Sequence, residues 1–180
     1  LSLEGIRAVE EMERLGMFLD VSHLNDDGFE DICRIAKKPF VATHSNSRQV
    51  FFNYRNLNDS QIRRLAEQGG MMGLNGCDCI VGCADGGDAL EMLCRHVESM
   101  AALAGIDKVG YGLDFCDSYG EAEPRYVFAQ ERHDSLVDHS HVPELTAALL
   151  QRGMPAKDVK KVMGGNWIEY FRRTLPQNGS

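Results

Sequence analysis

Two short apolar runs, each followed within a few residues by a histidine, constrain this chain more than any other feature. The first run is 17–19, ahead of His23, and the second is 40–42, ahead of His44. Each run is continuous and bounded by glycine or proline, a pattern that favours a strand buried on both faces. The residues between them have the apolar period of an amphipathic helix, so the stretch predicts a strand–helix–strand unit with parallel strands. Because parallel strands present functional groups at their carboxyl ends, we expect both imidazoles in one crevice, an arrangement typical of a metal site.

The rest of the chain continues the alternation of strands and helices. Two further apolar runs, 71–75 and 108–115, predict a third and a fourth strand. Amphipathic patterns with capping residues and glycine stops predict helices over 2–15, 26–37, 59–67, 88–104, 143–152, 155–163 and 167–173. Four strands alternating with helices are half of a (β/α)₈ barrel, which takes about 250 residues. With 180 residues, we expect an open four-stranded sheet or the second half of a barrel, with exposed apolar edges at the first and fourth strands.

Composition argues against several classes of function. The net charge of −8 and the pI near 5.2, without a cluster of basic residues, argue against a nucleic-acid partner. No run of 18 apolar residues occurs, so we expect no membrane span. No signal peptide follows Leu1, which is more typical of a processing or truncation point than of a natural start. Six cysteines fit no obvious disulfide framework, so we expect reduced thiols and a cytoplasmic location.

One group of cysteines has the composition of a thiolate cluster: Cys77, Cys79 and Cys83. No second Cys-x-x-Cys or Cys/His pair is present to complete a tetrahedral site. We therefore interpret these side chains as free thiols at a strand end and in the loop that follows.

Longer motifs carry a resemblance to a known family. They are GMFLDVSH, KPFVATHSNSR, YRNLNDSQIRRLAEQGGMMGLN, VGYGLDF and the ending PELTAALLQRGMPAKDVKKVMGGNW. In order and spacing they resemble the membrane (renal) dipeptidase family over nearly the whole chain, with one variable loop. The resemblance implies a zinc metallopeptidase of the amidohydrolase type on an α/β fold, the (β/α)₈ TIM barrel. It also implies that residues 1–180 are a single domain, the carboxyl-terminal half of that barrel.

The resemblance assigns functional roles to four positions. It implies that His23 and His44 bind one zinc ion of a pair. It also implies that Arg55 holds the terminal carboxylate of a dipeptide and that Asp114 handles protons at the catalytic centre. The implied reaction is hydrolysis of a dipeptide by a hydroxide that bridges two zinc ions. The family's other ligands, a His-x-Asp pair and a bridging glutamate, match no position here, so we expect weak or no catalysis by this chain alone. We expect its partners to be a missing amino-terminal half or further copies of itself.

Taken alone, each of these residue types also has a structural role. A histidine at a strand end is more often a hydrogen-bonded structural residue than a ligand, an arginine is usually on the surface, and Asp114 could cap a helix or loop. We expect the remaining histidines to be packed or solvated: His96, His133, His139 and His141. Two other functions remain alternatives to dipeptide hydrolysis. One is a non-catalytic domain that binds a peptide, and the other is a recruited amidohydrolase-like domain that acts on another small amide.

Overall fold

The computed structural model of the chain describes residues 1–116 and 134–175, in which a small parallel sheet packs against helices. The strands are β1 (Val41–Ala42), β2 (Met71–Leu74) and β3 (Val109–Tyr111), in the spatial order β1-β2-β3. The helices are α1 (Leu3–Arg14), α2 (Asp26–Ile35), α3 (Asp59–Glu67), α4 (Asp78–Val81), α5 (Ala89–Ala104), α6 (Val142–Gln151), α7 (Ala156–Lys160) and α8 (Asn166–Thr174). Shorter helical turns lie at Ile106–Lys108, His139–His141 and Lys161–Gly165. The α/β class is therefore confirmed, whereas a closed barrel stays a prediction.

Several helices begin where capping side chains predict. In each case a side-chain oxygen accepts a hydrogen bond from a backbone N–H of the first turn, which would otherwise lack a partner. At the start of α3, Asn58 and Gln61 form a reciprocal capping box. The capping residues are Ser2, Asn25, Asn58 and Asp88.

Helix α2 ends two residues earlier than the apolar pattern predicts, at Ile35. The reason is a tertiary contact from α1. The carboxylate of Glu13, which is buried, accepts hydrogen bonds from the backbone N–H groups of Lys37 and Lys38 at 2.8 and 2.9 Å. These N–H groups are thereby satisfied outside the helix, and the chain can turn toward β1.

The predicted first strand is reduced to a single parallel bridge between Asp20 and Val41. The backbone N–H of Val41 donates to the carbonyl of Leu19 at 2.9 Å, and that of Val21 donates to the carbonyl of Val41 at 2.8 Å. Met17 is 53% exposed. The prediction of a strand buried on both faces is therefore wrong at Met17, since among the described residues no strand pairs along its outer side.

The opposite edge of the sheet, at β3, is covered by side chains from the start of α8. Nδ2 of Asn166 donates to the carbonyl of Val109 at 2.8 Å, and Nε1 of Trp167 donates to the carbonyl of Tyr111 at 2.9 Å. A Cβ on Gly110 would lie 2.3 Å from Nε1 of Trp167, so only glycine leaves room for the indole. The expectation of an exposed edge at the fourth strand is therefore wrong.

The main core lies between the sheet and the helices on one of its faces. The fully buried side chains include Ile62 and Leu65 of α3 and Leu93 and Met100 of α5, and they join the cluster that contains Met72. No helix in the described parts of the chain is long and apolar enough to cross a membrane. The core fixes the strands in place, and the candidate functional side chains lie at their carboxyl ends.

Candidate metal centre

The structure brings the two predicted histidines into direct contact. His23 follows the bridge at Asp20, and His44 lies two residues beyond the end of β1. Because these neighbouring segments are parallel, both side chains emerge at the same end of the sheet, and their Nε2 atoms lie 2.9 Å apart. The other two predicted residues reach the same place. Nη2 of Arg55 lies 3.1 Å from Nε2 of His23, and Oδ2 of Asp114 lies 3.8 Å from Nε2 of His44.

A carboxylate beneath the histidines organises both segments. The carboxylate of Asp20 accepts hydrogen bonds from the backbone N–H groups of Ser22 and Thr43, each at 3.0 Å. It also accepts from Oγ of Ser22 at 2.6 Å and from Oγ1 of Thr43. Desolvation alone would raise the pKa of Asp20, but these hydrogen bonds outweigh it and hold that pKa below its ordinary value. Asp20 is therefore an ionised acceptor that joins the two segments.

The hydrogen bonds around His44 determine which of its ring nitrogens carries the proton. Oγ1 of Thr43 must donate its single proton to Asp20, because an ionised carboxylate only accepts. Nδ1 of His44 lies 2.7 Å from the same Oγ1 and must therefore be the donor in that contact. Burial lowers the pKa of His44, which favours a neutral ring. A neutral ring with its proton on Nδ1 has a lone pair on Nε2.

The other histidine presents a lone pair to the same point. Arg55 has only donors, so its contact with Nε2 of His23 requires that this nitrogen accepts. Two nitrogens without protons then face each other across 2.9 Å, a repulsive arrangement unless a cation lies against both. Zinc contacts imidazole nitrogen at about 2.0–2.1 Å, so one ion can reach both atoms. The donor set fits a metal ion of this kind.

Arg55 is positioned by the backbone next to the first histidine. Its Nε donates to the carbonyl of Ser22 at 3.0 Å, and its backbone N–H donates to Oδ1 of Asn53 at 2.9 Å. Within residues 1–116 and 134–175, Arg55 forms no ion pair with a carboxylate. Its guanidinium therefore has donors left for an anionic group that approaches the histidines.

Asp114 has an unusual backbone conformation. Its φ is +57°, and it is the one non-glycine residue with positive φ in the described segments. Its side chain is 52% exposed, and the carboxylate faces His44 rather than a structural partner. Strained backbone of this kind is concentrated at functional sites, and here it turns the carboxylate toward the histidines.

Two glycines make room for the backbone that carries His44. A Cβ added to Gly73 would lie 1.9 Å from the carbonyl oxygen of Thr43, and one added to Gly112 would lie 1.8 Å from the same atom. Since real Cβ atoms do not approach an oxygen so closely, the Thr43 carbonyl occupies space that side chains on β2 and after β3 would fill. The two glycines therefore allow the Thr43–His44 segment to lie close against β2 and the segment after β3.

Buried asparagines fix the loops that continue from the strand ends. The backbone N–H of Asn75 donates to Oδ1 of Asn46 at 2.9 Å, and Nδ2 of Asn46 donates back to the carbonyl of Asn75 at 3.1 Å. The backbone N–H of Asn46 in turn donates to Oδ1 of Asn56 at 3.2 Å. Buried polar groups that satisfy one another in this way hold a loop in one conformation.

The cysteines do not extend this centre. Sγ of Cys77 and Sγ of Cys79 lie 3.4 Å apart near the Asp78 carboxylate, but burial raises the pKa of Cys77 to about 12. Burial also raises the pKa of Cys83 to about 11. The thiols of Cys77 and Cys83 are therefore protonated near neutral pH. The interpretation as reduced thiols agrees with the structure, and the cytoplasmic location stays a prediction.

The other histidines that the structure describes have structural or solvated positions, as expected. His96 is fully buried in α5, with Nε2 2.9 Å from the carbonyl of Val81 and Nδ1 3.3 Å from the backbone N–H of Ser47. His139 and His141 lie at or near the surface. His133 lies outside the described residues.

Comparison with known proteins identifies the family of this chain. The family model described as membrane dipeptidase, peptidase family M19, matches residues 1–176. The chain belongs to the membrane dipeptidase family. The resemblance drawn from the motifs is therefore confirmed.

Relatives and a solved structure agree with this membership. The chain is 30% identical over 180 residues to the "uncharacterized protein in pqqA 5′ region" of Klebsiella pneumoniae, covering 98% of this chain and 62% of that protein. It is 29% identical over 172 residues to dipeptidase tcpJ of Claviceps purpurea, covering 96% of this chain and 38% of that protein. A metallopeptidase from Rhodobacter sphaeroides, solved with a phosphinate mimic of the dipeptide L-Ala-D-Ala, has 33% identity and a TM-score of 0.79. That match covers 97% of this chain and 47% of the solved one.

The chain spans between about two fifths and three fifths of the length of these relatives. Membership in a metallopeptidase family implies a metal cofactor, which agrees with the donor set at His23 and His44. Three residues of the centre were not predicted from the sequence, namely Asp20, Ser22 and Thr43. Their signal is present in the motifs DVSH and ATH, where small polar or acidic residues precede each histidine by one to three positions.

Proposed function

We propose that this chain carries part of the active site of a binuclear zinc dipeptidase, with His23 and His44 as ligands of one ion. The observation that carries the proposal is the pair of opposed Nε2 lone pairs, 2.9 Å apart, with Asp114 and Arg55 at their margin. Family membership supports hydrolysis of dipeptides as the reaction. Imidazole nitrogens held rigidly at strand ends are typical zinc ligands.

Zinc, when bound, supplies Lewis acidity and an activated water at neutral pH. The chain's own residues would bind and orient the substrate around it. Arg55 has the planar fork of donors that matches the two oxygens of a terminal carboxylate. Asp114, exposed and directed toward the histidines, would hold the proton that is transferred to the leaving amine.

We also propose an architecture for the complete active site. Residues 1–180 would be a single domain, the carboxyl-terminal half of a (β/α)₈ barrel whose other half, in the same polypeptide or a partner copy, supplies the remaining ligands. Three parallel strands with their functional groups at one end support this arrangement. The TM-score of 0.79 with a chain of which the match covers 47% also supports it.

The test is zinc binding by the chain, measured by competition with a chromophoric chelator. We expect saturable binding that is lost in His23→Ala and in His44→Ala. The matched control is His141→Ala, which removes a partly exposed histidine that contacts Asp138 and Glu144 and should leave the affinity unchanged. Equal zinc affinity in wild type and in the double variant of His23 and His44 would falsify the proposal.

Hydrolysis of L-Ala-D-Ala by the zinc-loaded chain is the second measurement. We expect a low rate, since three ligands of the family match no position here, and background hydrolysis in His23→Ala. A rate that is the same with and without His23 would assign any turnover to a contaminant or to another site.

A further inference from the structure

The carboxylate of Asp20 lies one hydroxyl away from a proposed ligand. Oγ1 of Thr43 stands between the Asp20 carboxylate and Nδ1 of His44, which is 2.7 Å from that oxygen. The chain of contacts therefore runs from carboxylate to hydroxyl to imidazole, and it ends at the nitrogen opposite to the one that faces His23.

The Asp20 carboxylate fixes the direction of both hydrogen bonds in the series from Asp20 through Thr43 to His44. The carboxylate takes the only proton of the threonine hydroxyl, and the hydroxyl oxygen must then accept from Nδ1–H of His44. A neutral histidine in water prefers to carry its proton on Nε2. In that tautomer Nε2 has no lone pair available to bind a metal ion. The contacts with Thr43 and Asp20 reverse this preference, and the hydrogen bond made by one ring nitrogen decides the state of the other.

The same carboxylate also fixes the backbone on both sides of the centre. It accepts from the backbone N–H of Ser22, next to His23, and from the backbone N–H of Thr43, next to His44. Oγ of Ser22 donates to the carboxylate and accepts from the backbone N–H of His44 at 3.1 Å. One side chain thus determines both the protonated nitrogen of His44 and the separation of the two histidine-bearing segments.

We propose that Asp20 is a positioning residue of the metal centre, which acts through Thr43 to hold His44 as the tautomer whose Nε2 lone pair faces His23. The role of that lone pair as a ligand rests on the proposed function, whereas the tautomer itself does not. Hydrogen-bond partners that orient a ligand and fix its tautomer change metal affinity by about 10- to 100-fold when they are removed.

The first measurement is the tautomer of His44 in the metal-free chain, obtained from long-range ¹H–¹⁵N spectra of ¹⁵N-histidine-labelled protein at pH 8. We expect a protonated Nδ1 and an unprotonated Nε2 in the wild type. Thr43→Val keeps the shape of the side chain but removes the hydroxyl, and Asp20→Ala removes the carboxylate. In both variants we expect His44 to shift toward the Nε2–H form. Thr43→Ser restores the hydroxyl and should restore the wild-type tautomer.

The second measurement is zinc affinity in the same variants. We expect a loss of about 10- to 100-fold in Thr43→Val and Asp20→Ala and a change of less than about threefold in Thr43→Ser. Asp27→Asn is the matched control, because it removes an exposed carboxylate near the same segment and should change neither readout. If Asp20→Ala fails to fold, Thr43→Val and Thr43→Ser alone decide the result.

The outcomes separate this proposal from the proposed function. An Nε2–H tautomer in the wild type, or an unchanged tautomer in Thr43→Val, overturns the positioning role even if zinc binds tightly. The expected tautomer and its loss in Thr43→Val, together with no zinc binding in any variant, support the positioning role and overturn the metal site.

Discussion

Arg55 donates a hydrogen bond to His23, with Nη2 of the arginine 3.1 Å from Nε2 of the histidine, and so uses the lone pair of that nitrogen. That lone pair is also the one a metal ion would use, and it cannot serve both at once. Metal binding to His23, as proposed, would therefore release a donor of Arg55. The released donor would lie beside the ion, where the carboxylate of a substrate would bind.

Replacing Arg55 should change metal and substrate binding in opposite directions. In Arg55→Met we expect zinc affinity to rise several-fold, since a competing donor and a positive charge are removed. We expect binding of L-Ala-D-Ala to weaken by about tenfold or more, since a charged hydrogen-bonding partner is lost. Chelator competition and an NMR titration measure the two effects. Arg7→Met, at an exposed position in α1, is the control and should affect neither. A loss of both affinities would show that Arg55 supports the fold of the site instead.

Asp114 should contribute to the site at a cost in stability. Its φ of +57° is unfavourable for a side chain, so Asp114→Gly should raise the free energy of unfolding by about 1 kcal/mol. Asp114→Asn keeps a residue that tolerates this conformation and removes only the charge, so stability should change by less than about 0.5 kcal/mol. Urea unfolding measures both values. A destabilised Asp114→Gly variant would contradict the assignment of strain.

Gly73 should be intolerant of even one added carbon. Gly73→Ala places a Cβ 1.9 Å from the Thr43 carbonyl oxygen, so the segment that carries His44 must move. We expect a loss of roughly 1–3 kcal/mol in stability and a weaker zinc site. Gly5→Ala is the control: its nearest atom is at 3.4 Å and it lies within α1, so stability should be unchanged or slightly higher. Unfolding curves and chelator competition with both variants check these expectations.

Because His96 is buried, we expect the protein to lose stability in mild acid. Burial lowers its pKa to about 4, because the charged ring would lose its hydration in the core. Nδ1 also accepts a hydrogen bond from the backbone N–H of Ser47, which a second ring proton would break. In the unfolded chain the pKa is about 6.5, so between pH 6.5 and 4 the unfolded state binds more protons and stability falls with falling pH. The contribution of His96 to the free energy of unfolding is fully present above pH 6.5. About 3 kcal/mol of it is lost when the pH has fallen to about 4.

The measurement compares the pH dependence of unfolding in wild type and in His96→Gln. The stability difference between the two should shrink by about 3 kcal/mol from pH 7 to pH 4. His139→Ala, which removes an exposed histidine, should follow the wild-type profile. Parallel profiles for wild type and His96→Gln would contradict the lowered pKa.

The parts of the site that sequence could predict are those that depend on local pattern. Apolar runs and caps predict α2, β1 and the parallel segment before α2, although that segment forms only a single bridge at Asp20. The rule for parallel strands then places His23 beside His44. The parts that it missed depend on contacts between distant residues. Glu13 ends α2 from another helix, and Trp167 covers β3 from the far end of the chain. The orientation of Asp114 depends on a single positive φ that no periodicity encodes.

The Thr43 carbonyl also has a consequence for folding. It fits only where two neighbouring chain segments both present a glycine, Gly73 and Gly112, and each glycine is flanked by larger residues. A shift of β1 by two residues along β2 would bring the carbonyl against Met71 or Asn75, whose side chains share the face of Gly73. The contact that shapes the functional site therefore also selects one alignment among competing strand pairings, so a chain that has paired its strands correctly has already placed His44.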